Sequence, residues 1–342
     1  MILDRTSVLH GALLSLVLAT SSSGGTPPSP PARTAPAKVH GVTISTHTSG
    51  REWGWDSIVP TMKEIQSLGA GWVAIHPYAA IRGDGSVLFR DFEREKPPRH
   101  LVRPIREAHA LGLKILVKPH LAYWGSPFRW RGEISFQDPG PWQRFWRGYR
   151  HWILTVIRAC RQADGFVVGT ELDRTLGHES EWRQLISEIR GLTDAPLTYA
   201  ANWTDYQQVP FWDALDVIGV QAYFPLTDRP QASVEEIDQG WRRWMGELRL
   251  YAGEQNRKVV FTELGYNRSM AAPVRPWDHR VDGPEAEYLQ EICLREALRA
   301  VEAEPSVAGV FLWKWFPGPL PVGRDFQLAT PRLKQAIAGV WR

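Results

Sequence analysis

The chain alternates short apolar runs with longer amphipathic stretches, and this alternation constrains the fold more than any other feature. The eight runs are His40–Thr46, Gly71–Tyr78, Leu113–Leu121, Gly165–Leu172, Leu197–Trp203, Leu215–Phe224, Lys258–Tyr266 and Val307–Trp315. Near-continuous apolar runs of this length are typical of parallel strands buried on both faces. Helical patterns between them cover Ser57–Leu68, Leu101–Leu111, Pro141–Cys160, Ser180–Leu192, Ser233–Ala252 and Pro284–Ala303. Eight such units predict an α/β fold, a (β/α)8 TIM barrel forming a single catalytic domain.

The N-terminal region does not follow this pattern. Residues 1–23 contain one Arg, an apolar stretch from Ala12 to Ala19 and then small residues, which is typical of a secretory signal peptide. That stretch is too short to span a bilayer as a helix, so no stable membrane span is expected. Residues 24–37 are Pro-rich and predict an extended linker. We therefore expect the barrel domain over residues 38–342, in a protein that is secreted or resides in the periplasm or cell envelope.

Charge and composition exclude several classes of function. The 40 basic and 37 acidic residues are scattered, so no basic block is available to follow a nucleic acid backbone. Cys160 and Cys293 are predicted on opposite sides of the barrel, where they cannot pair, and we expect two buried thiols. His76 and His120 lack the accompanying carboxylates of a metal-dependent hydrolase. We expect no metal and no organic cofactor, and we expect a monomer.

Two of the eight apolar runs contain a glutamate close to their carboxyl ends. The run GFVVGTEL places Glu171 after a Thr, and KVVFTELGY places Glu263 in the same way. The carboxyl ends of the strands carry the chemistry in barrels of this kind. A charge after four apolar strand residues is costly unless it faces a wet, functional mouth. Two carboxyl groups across one mouth can divide the work of cleaving a glycosidic bond. The structural alternative is a pair of carboxylates held by Arg or backbone donors.

Tryptophan is unusually frequent, with 17 residues, and several lie in predicted loops. Flat indole faces with an N–H donor suit sugar rings, which offer C–H patches and hydroxyl edges. The members of this set are Trp53, Trp55, Trp124, Trp130, Trp203 and Trp277. The loop from Tyr123 to Phe136 is predicted to form one wall of a cleft, with Trp124 and Trp130 as platforms. The opposite wall is predicted to contain Trp53, Trp55, His76 and Tyr78. Core packing is the alternative for each of them.

The motifs on these runs resemble glycoside hydrolase family 113, whose known members include retaining endo-β-1,4-mannanases. The likeness extends from His40 to Pro317 and is most specific in KPHLAYWGSPFRWRGEISF, GTEL, YAANW, FWDALDVIGVQAYFPL, FTELGY and FLWKW. By position, the resemblance implies that Glu171 is the acid/base and Glu263 the nucleophile. Many clan relatives carry Asn, which can contact the sugar 2-hydroxyl, where this chain has Thr170. Asn202 is the candidate replacement, and a turn-forming Asn is the alternative.

Further polar and aromatic residues at the strand ends are interpreted in the same way. Lys118 and His120 are two residues apart and are expected to point into the mouth. His120 could bind a sugar hydroxyl, and Lys118 could hold a carboxylate in its charged form. Tyr223 is predicted to orient the nucleophile with its hydroxyl. Trp313 is predicted to form the floor under the sugar, with Trp315 as the alternative.

The expected function is a retaining glycoside hydrolase that acts on a β-linked polysaccharide or oligosaccharide by double displacement. The resemblance alone favours β-1,4-mannan. Another β-glycan, such as a surface polysaccharide made by the producing cell, is an alternative substrate, and endo and exo action are both open. A non-catalytic carbohydrate-binding protein on a hydrolase barrel is the alternative from a different class. The presence of both glutamates argues against it, because a binding protein has no need of a buried proton donor.

Overall fold

The computed structural model describes residues 38–90, 92, 96–318 and 326–342. The predicted signal peptide (residues 1–23) and the predicted linker (residues 24–37) lie outside the described residues. Within the described ranges, no helix is long and apolar enough to cross a membrane.

Eight parallel strands close into a barrel, which confirms the predicted fold. Numbered along the chain together with three short strands, they are β1 (Val39–Ile44), β2 (Trp72–Ile75), β5 (Lys114–Val117), β7 (Gly165–Thr170), β8 (Leu197–Asn202), β9 (Ile218–Gln221), β10 (Val259–Leu264) and β11 (Val307–Trp315). In space they follow the same order, and β11 pairs with β1 to close the ring. All eight carboxyl ends therefore lie at one mouth.

Two of the predicted runs are each divided into a barrel strand and a short outer strand. The outer strands are β3 (Tyr78–Ile81) and β6 (His120–Ala122), and with β4 (Val87–Leu88) they form a three-stranded sheet. Pro77 and Pro119 stand at the two divisions. The prediction of continuous strands was wrong here, because proline lacks the N–H that a central strand must donate.

Helices cover the outside of the barrel. They are α1 (Ile58–Gln66), α2 (Arg99–Ala110), α3 (Pro139–Ala159), α4 (Glu179–Arg190), α5 (Val234–Glu254), α6 (Ala286–Ala303) and α7 (Pro331–Trp341). The first six match the predicted helical segments. The last was not predicted, and its Trp341 stacks on His40 with ring centroids 4.9 Å apart. Between β8 and β9 the chain forms only two 3₁₀ turns, Tyr206–Gln208 and Trp212–Ala214, so that connection departs from the regular unit.

The barrel interior is filled by one layer of six apolar side chains. They are Ala74, Leu116, Val167, Ala200, Val260 and Phe311. Phe311 fills the space beside Gly41, where an added Cβ would lie 2.3 Å from the ring. Because side chains alternate along a strand, inward positions two or four residues beyond this layer reach the mouth.

Both cysteines are free thiols with no exposed surface. Burial raises the pKa of the Cys160 thiol to about 12. The prediction of two buried thiols is confirmed.

Candidate active site

Glu171 reaches the mouth directly after the end of β7, where the register of β7 against β8 shifts between Val167 and Thr170. It follows the inner-layer residue Val167 by four positions, and its N–H donates to Ala200 O at 2.8 Å. Its φ angle is 48°, in the left-handed region that few residues other than glycine adopt. Strained backbone of this kind is common at functional sites.

Glu263 also reaches the mouth beside an irregularity in strand pairing. It follows the inner-layer residue Val260 by three positions, so simple alternation would turn it outward. The register of β10 against β9 shifts between Phe261 and Glu263, and this irregularity turns the carboxyl group inward. Neighbouring Phe261 and Leu264 remain in the outer core.

The carboxyl group of Glu263 is enclosed by donors. Lys118 donates from Nζ to Oε1, and the Tyr223 hydroxyl donates to Oε2 at 2.5 Å. His120 Nε2 lies 3.5 Å from Oε1. Lys118 is fully buried and also donates to Thr262 O at 3.1 Å. Burial lowers the pKa of the Lys118 ammonium to about 8, and the negative charge of Glu263 opposes that fall. Lys118 therefore lies fully buried in direct contact with the Glu263 carboxyl group.

Among the described residues, the carboxyl group of Glu171 forms an ion pair with one side chain, that of Arg131. Arg131 Nη1 donates to Oε2 at 2.9 Å, and Arg131 Nε donates to Leu121 O at 3.2 Å. Burial raises the pKa of Glu171, and the negative charge of Glu263 raises it further. The positive charges of Arg131 and Lys118 act in the opposite direction. The net shift raises the pKa of Glu171 and so favours its protonated form.

Aromatic rings and two histidines form a floor beside Glu263. The ring centroid of His76 is 5.0 Å from that of His120 and 5.1 Å from that of Trp313. Burial, followed by nearby positive charges, holds the pKa of both histidines well below the usual range, so both are neutral at pH 7. In the part of the chain that the structure describes, no group of three or more His, Cys, Asp or Glu is arranged to hold a metal ion.

The side chain of Asn202 lies beside Asp173. Burial raises the pKa of Asp173 to about 8, the charges of Asp205 and Glu171 add to this, and a hydrogen bond with Asn202 opposes it. Asn202 thus contacts Asp173, whose carboxyl group in turn feels the charge of Glu171. Its contact with a sugar 2-hydroxyl stays a prediction.

The two aromatic platforms predicted in the loop from Tyr123 to Phe136 differ in exposure. Trp124 is 63% exposed, and its ring centroid is 5.6 Å from that of Tyr78. Trp130 is half-buried and packs over Gly132 of its own loop, where an added Cβ would lie 2.2 Å from the indole. Trp124 is thus available to a ligand, whereas Trp130 supports the loop.

One tryptophan prediction was wrong, and one alternative does not fit the structure. Trp53 was predicted to line the cleft, but it is fully buried and donates from Nε1 to Ile44 O at 2.8 Å. A 3₁₀ turn at Arg51–Gly54 follows β1 and turns this side chain into the core. Trp315, the alternative floor, is 2% exposed in the outer core, while Trp313 is half-buried at the mouth.

Arg131 is the residue of the site that sequence reasoning missed. It lies in the loop from Tyr123 to Phe136, 40 positions before Glu171 in the sequence. The aromatic residues around Arg131 were only a weak signal of a role in the site. Arg129 lies in the same loop, yet it is 88% exposed and pairs with Glu133.

A (β/α)8 barrel with two carboxyl groups of opposite character in its mouth is typical of glycoside hydrolases. Residues 42–319 match the profile of Glycoside Hydrolase Family 113. The match covers most of the chain, which therefore belongs to family 113 and is a glycoside hydrolase.

Solved structures agree on the fold. The barrel is similar to a β-1,4-mannanase of this family, with 20% identity, a TM-score of 0.77, and coverage of 89% of this chain and 99% of the other. It is also similar to a β-mannanase from Alicyclobacillus acidocaldarius, with 23% identity, a TM-score of 0.77, and coverage of 89% and 97%. A β-glucuronidase from Ruminococcus gnavus shares the fold at 13% identity and a TM-score of 0.62, with coverage of 90% of this chain and 50% of the other. A comparison with curated protein sequences finds no match.

Proposed function

We propose that this protein is a retaining glycoside hydrolase that cleaves β-1,4-mannan, with Glu171 as acid/base and Glu263 as nucleophile. The observation that carries the proposal is the contrast between the two carboxyl groups. Glu263 is complemented by the Lys118 ammonium and the Tyr223 hydroxyl, as a charged nucleophile requires. The pKa of Glu171 is raised by burial, as a proton donor requires.

In the first step, a carboxylate oxygen of Glu263 attacks the anomeric carbon of the bound sugar. The proton of Glu171 passes to the glycosidic oxygen as the bond between that oxygen and the anomeric carbon breaks. The leaving sugar departs as an alcohol, and a glycosyl ester remains on Glu263. Glu171 is now an anion, which Arg131 stabilises through the 2.9 Å hydrogen bond.

In the second step, Glu171 removes a proton from water while the water oxygen attacks the anomeric carbon. The ester bond breaks, and its electron pair returns to the carboxylate of Glu263. Lys118 and Tyr223 stabilise that returning charge, so they assist departure of the carboxylate. Two inversions at the same carbon give net retention of the anomeric configuration.

Mannan is supported as the substrate by the two family 113 structures, whose names describe them as β-mannanases. The test is an assay of the full chain on mannan, glucomannan, cellulose, xylan and mixed-linkage glucan, in which reducing ends and product sizes are followed. Glu263→Gln, which keeps the shape of the side chain, is the control.

Release of oligosaccharides from mannan that disappears in Glu263→Gln is the expected result. Activity on another β-glycan would show that this glycan, and not mannan, is the substrate. The proposed mechanism would be unchanged. Turnover of no glycan, together with equal glycan binding by wild type and Glu263→Gln, would favour a binding protein instead.

We also propose that the protein acts outside the cytoplasm. The support is the composition of residues 1–23. N-terminal sequencing of the protein from the medium or cell envelope tests this, with cleavage close to residue 23 as the expected result. An intact N-terminus on protein retained in the cytoplasm would contradict it.

A further inference from the structure

We propose that a cationic cavity beside the barrel mouth binds an anionic group of the substrate, so that the preferred glycan is acidic. The anionic group is a carboxylate or a phosphate, and it is carried by a sugar that precedes the one attacked by Glu263. This inference rests on the proposed roles of Glu171 and Glu263. It adds a specificity-determining site to the catalytic residues.

The cavity lies between the outer strand β3 and the helices α2 and α3. Its volume is about 590 Å³, which is within the range of small-molecule sites. Its apolar base contains Leu101, Trp152 and Val156, each at most 3% exposed. Arg51 and Arg90 also line it, and both are exposed. The cavity therefore has an apolar base and a cationic entrance.

The ionisable side chains of this cavity are basic. Arg51, Arg90, Lys96 and His100 belong to its lining, and no Asp or Glu is found among the described lining residues. Neither Arg51 nor Arg90 forms an ion pair with any residue that the structure describes. Guanidinium groups bind carboxylates and phosphates through paired hydrogen bonds. Two unpaired guanidinium groups at one concave surface therefore indicate an anionic ligand.

The charges of the two arginines act together at His100. Burial lowers the pKa of His100, and the positive charges of Arg51 and then Arg90 lower it further. Both guanidinium groups are thus close enough to His100 for their fields to overlap there. An anion bound between them would offset this repulsion, because it would be attracted by both arginines.

The backbone that carries Arg51 is firmly anchored. Arg51 begins the 3₁₀ turn Arg51–Gly54, and an added Cβ on Gly54 would lie 3.4 Å from the Cα of His100. Arg103 on α2 donates from Nη1 to Gly54 O at 3.0 Å and to Asp56 Oδ1 at 2.6 Å. The turn is therefore held against α2 before a ligand binds. Ordering of the Arg51 side chain is the main entropy cost at this residue.

Tyr78 connects the cavity to the floor of the active site. It lines the cavity, and its ring centroid is 5.1 Å from that of His76 and 6.1 Å from that of His120. His120 in turn lies 3.5 Å from Glu263. The sugar that Glu263 attacks must lie close to this carboxyl group. A glycan that extends from there across Tyr78 brings a preceding sugar to the cavity.

An acidic sugar matches both parts of the cavity. Its C–H face suits the aromatic rings of Tyr78 and Phe89, which both line the cavity. Its carboxylate or phosphate suits the guanidinium group of Arg51. Oxidation of C6 in β-1,4-mannan supplies such a carboxylate and leaves the glycosidic linkage unchanged.

The test compares three samples of one β-1,4-mannan: the neutral polymer, a sample partly oxidised to carboxylates at C6, and a sample phosphorylated at C6 to the same extent. Mass spectrometry of the products locates each anionic sugar relative to the cleaved bond. Arg51→Gln is measured beside Arg51→Lys, which keeps the charge. Arg82→Gln is the matched control, because Arg82 is an exposed arginine between β3 and β4 and does not line the cavity.

We expect wild-type kcat/KM to be about fivefold higher for at least one anionic sample than for neutral mannan, as a partly exposed charge pair predicts. Anionic sugars should be enriched a fixed number of positions before the new reducing end. Arg51→Gln should lower the ratio of anionic to neutral kcat/KM to near one, and Arg51→Lys should keep part of the preference. Arg82→Gln should behave as wild type. The sample that shows the preference identifies the anion as a carboxylate or a phosphate.

Wild-type protein that cleaves neutral mannan at least as well as both anionic samples would overturn the proposal. So would a preference that is unchanged in Arg51→Gln, or enrichment of anionic sugars on the leaving side of the cleaved bond. Wild-type protein that cleaves none of the three samples would contradict the proposed function itself. The wild-type activity therefore tests the enzyme, and the ratio between samples tests the cavity.

Discussion

The two carboxyl groups of the mouth occupy surroundings built in different ways. Glu263 is held by side chains from separate barrel strands and their ends, with Lys118 and Tyr223 fixed in the interior. Glu171 is held by Arg131, which comes from a loop and is 13% exposed. A nucleophile keeps one charge state until it reacts, whereas an acid/base must lose and regain a proton. The rigid surroundings of Glu263 fit the role of a nucleophile, and the loop cation beside Glu171 fits the role of an acid/base.

The largest expected effect comes from removing each carboxyl group in turn. Glu263→Ala should lose at least about a thousandfold in kcat. Glu171→Ala should lose about 10²- to 10⁴-fold on glycans and far less on substrates whose leaving group needs no proton. Steady-state kinetics on a tetrasaccharide and on the matching glycosyl fluoride measure both losses.

Azide separates the two variants further. In Glu171→Ala it should attack the glycosyl ester and give a β-glycosyl azide, whereas in Glu263→Ala it should replace the nucleophile and give the α-anomer. Anomers are distinguished by NMR. The opposite pairing of variants and anomers would exchange the two roles.

Substitution of Lys118, the cation beside Glu263, tests the rigid surroundings of that carboxyl group. Lys118→Met should leave a buried carboxylate without its partner and reduce the free energy of unfolding by about 3–5 kcal/mol at neutral pH. Denaturant unfolding measures this. Lys334→Met is the control, because its ion pair with Glu64 is partly exposed and should contribute under about 1 kcal/mol. Equal stability changes in the two variants would contradict the account.

Removing the hydroxyl beside Glu263 should have a smaller effect on catalysis. Tyr223→Phe loses one hydrogen bond to a charged group, which is about 1.5–3 kcal/mol, so kcat/KM should fall roughly 10- to 100-fold. Tyr149→Phe is the matched control, since that buried hydroxyl donates to Val168 O at 2.8 Å behind the barrel wall. A similar activity loss in both variants would indicate a general structural effect.

Substitution of Arg131, the cation beside Glu171, should change the pH dependence of kcat/KM more than its maximum value. The positive charge of Arg131 lowers the pKa of Glu171, so Arg131→Met raises that pKa and keeps the acid protonated to higher pH. The alkaline limb of the kcat/KM profile should therefore move to higher pH. The groups that share the field of Glu171 are Arg131, Glu263, Lys118, Asp173 and Tyr199.

Two variants control the pH experiment. Arg131→Lys should keep the limb close to its wild-type position, because the charge remains. Arg129→Met, two residues away in the same loop, removes an exposed cation that pairs with Glu133 and should leave the profile unchanged. An alkaline limb that stays in place in Arg131→Met would show that Arg131 does not set the ionisation of Glu171.

Much of the barrel could be predicted from the sequence because strands that are buried on both faces appear as continuous apolar runs. The breaks at Pro77 and Pro119 followed from the same physics and were overlooked. The two glutamates were predictable because a charged residue after an apolar strand is costly unless it faces a wet, functional mouth. The register shift that turns Glu263 inward left no visible signal, since it depends on pairing between β10 and its neighbour.

Other parts of the site depend on contacts between distant segments. Arg131 reaches Glu171 only because the loop after β6 folds over the mouth, and one arginine in a predicted loop resembles another in sequence. Trp53 was wrongly placed in the cleft because a short turn after a strand gives no indication of which way its side chain points. Lys118 and Tyr223 were correctly placed against a carboxyl group because strand ends have a fixed direction.

The most direct test of the assigned roles is covalent trapping of the nucleophile. A 2-deoxy-2-fluoro-mannosyl fluoride should form a slowly hydrolysed glycosyl ester, and mass spectrometry of a digest should locate the sugar. The account predicts one label per chain, on the peptide that contains Glu263, and no label in Glu263→Gln. A label on Glu171, or hydrolysis with inversion and no label, would contradict it.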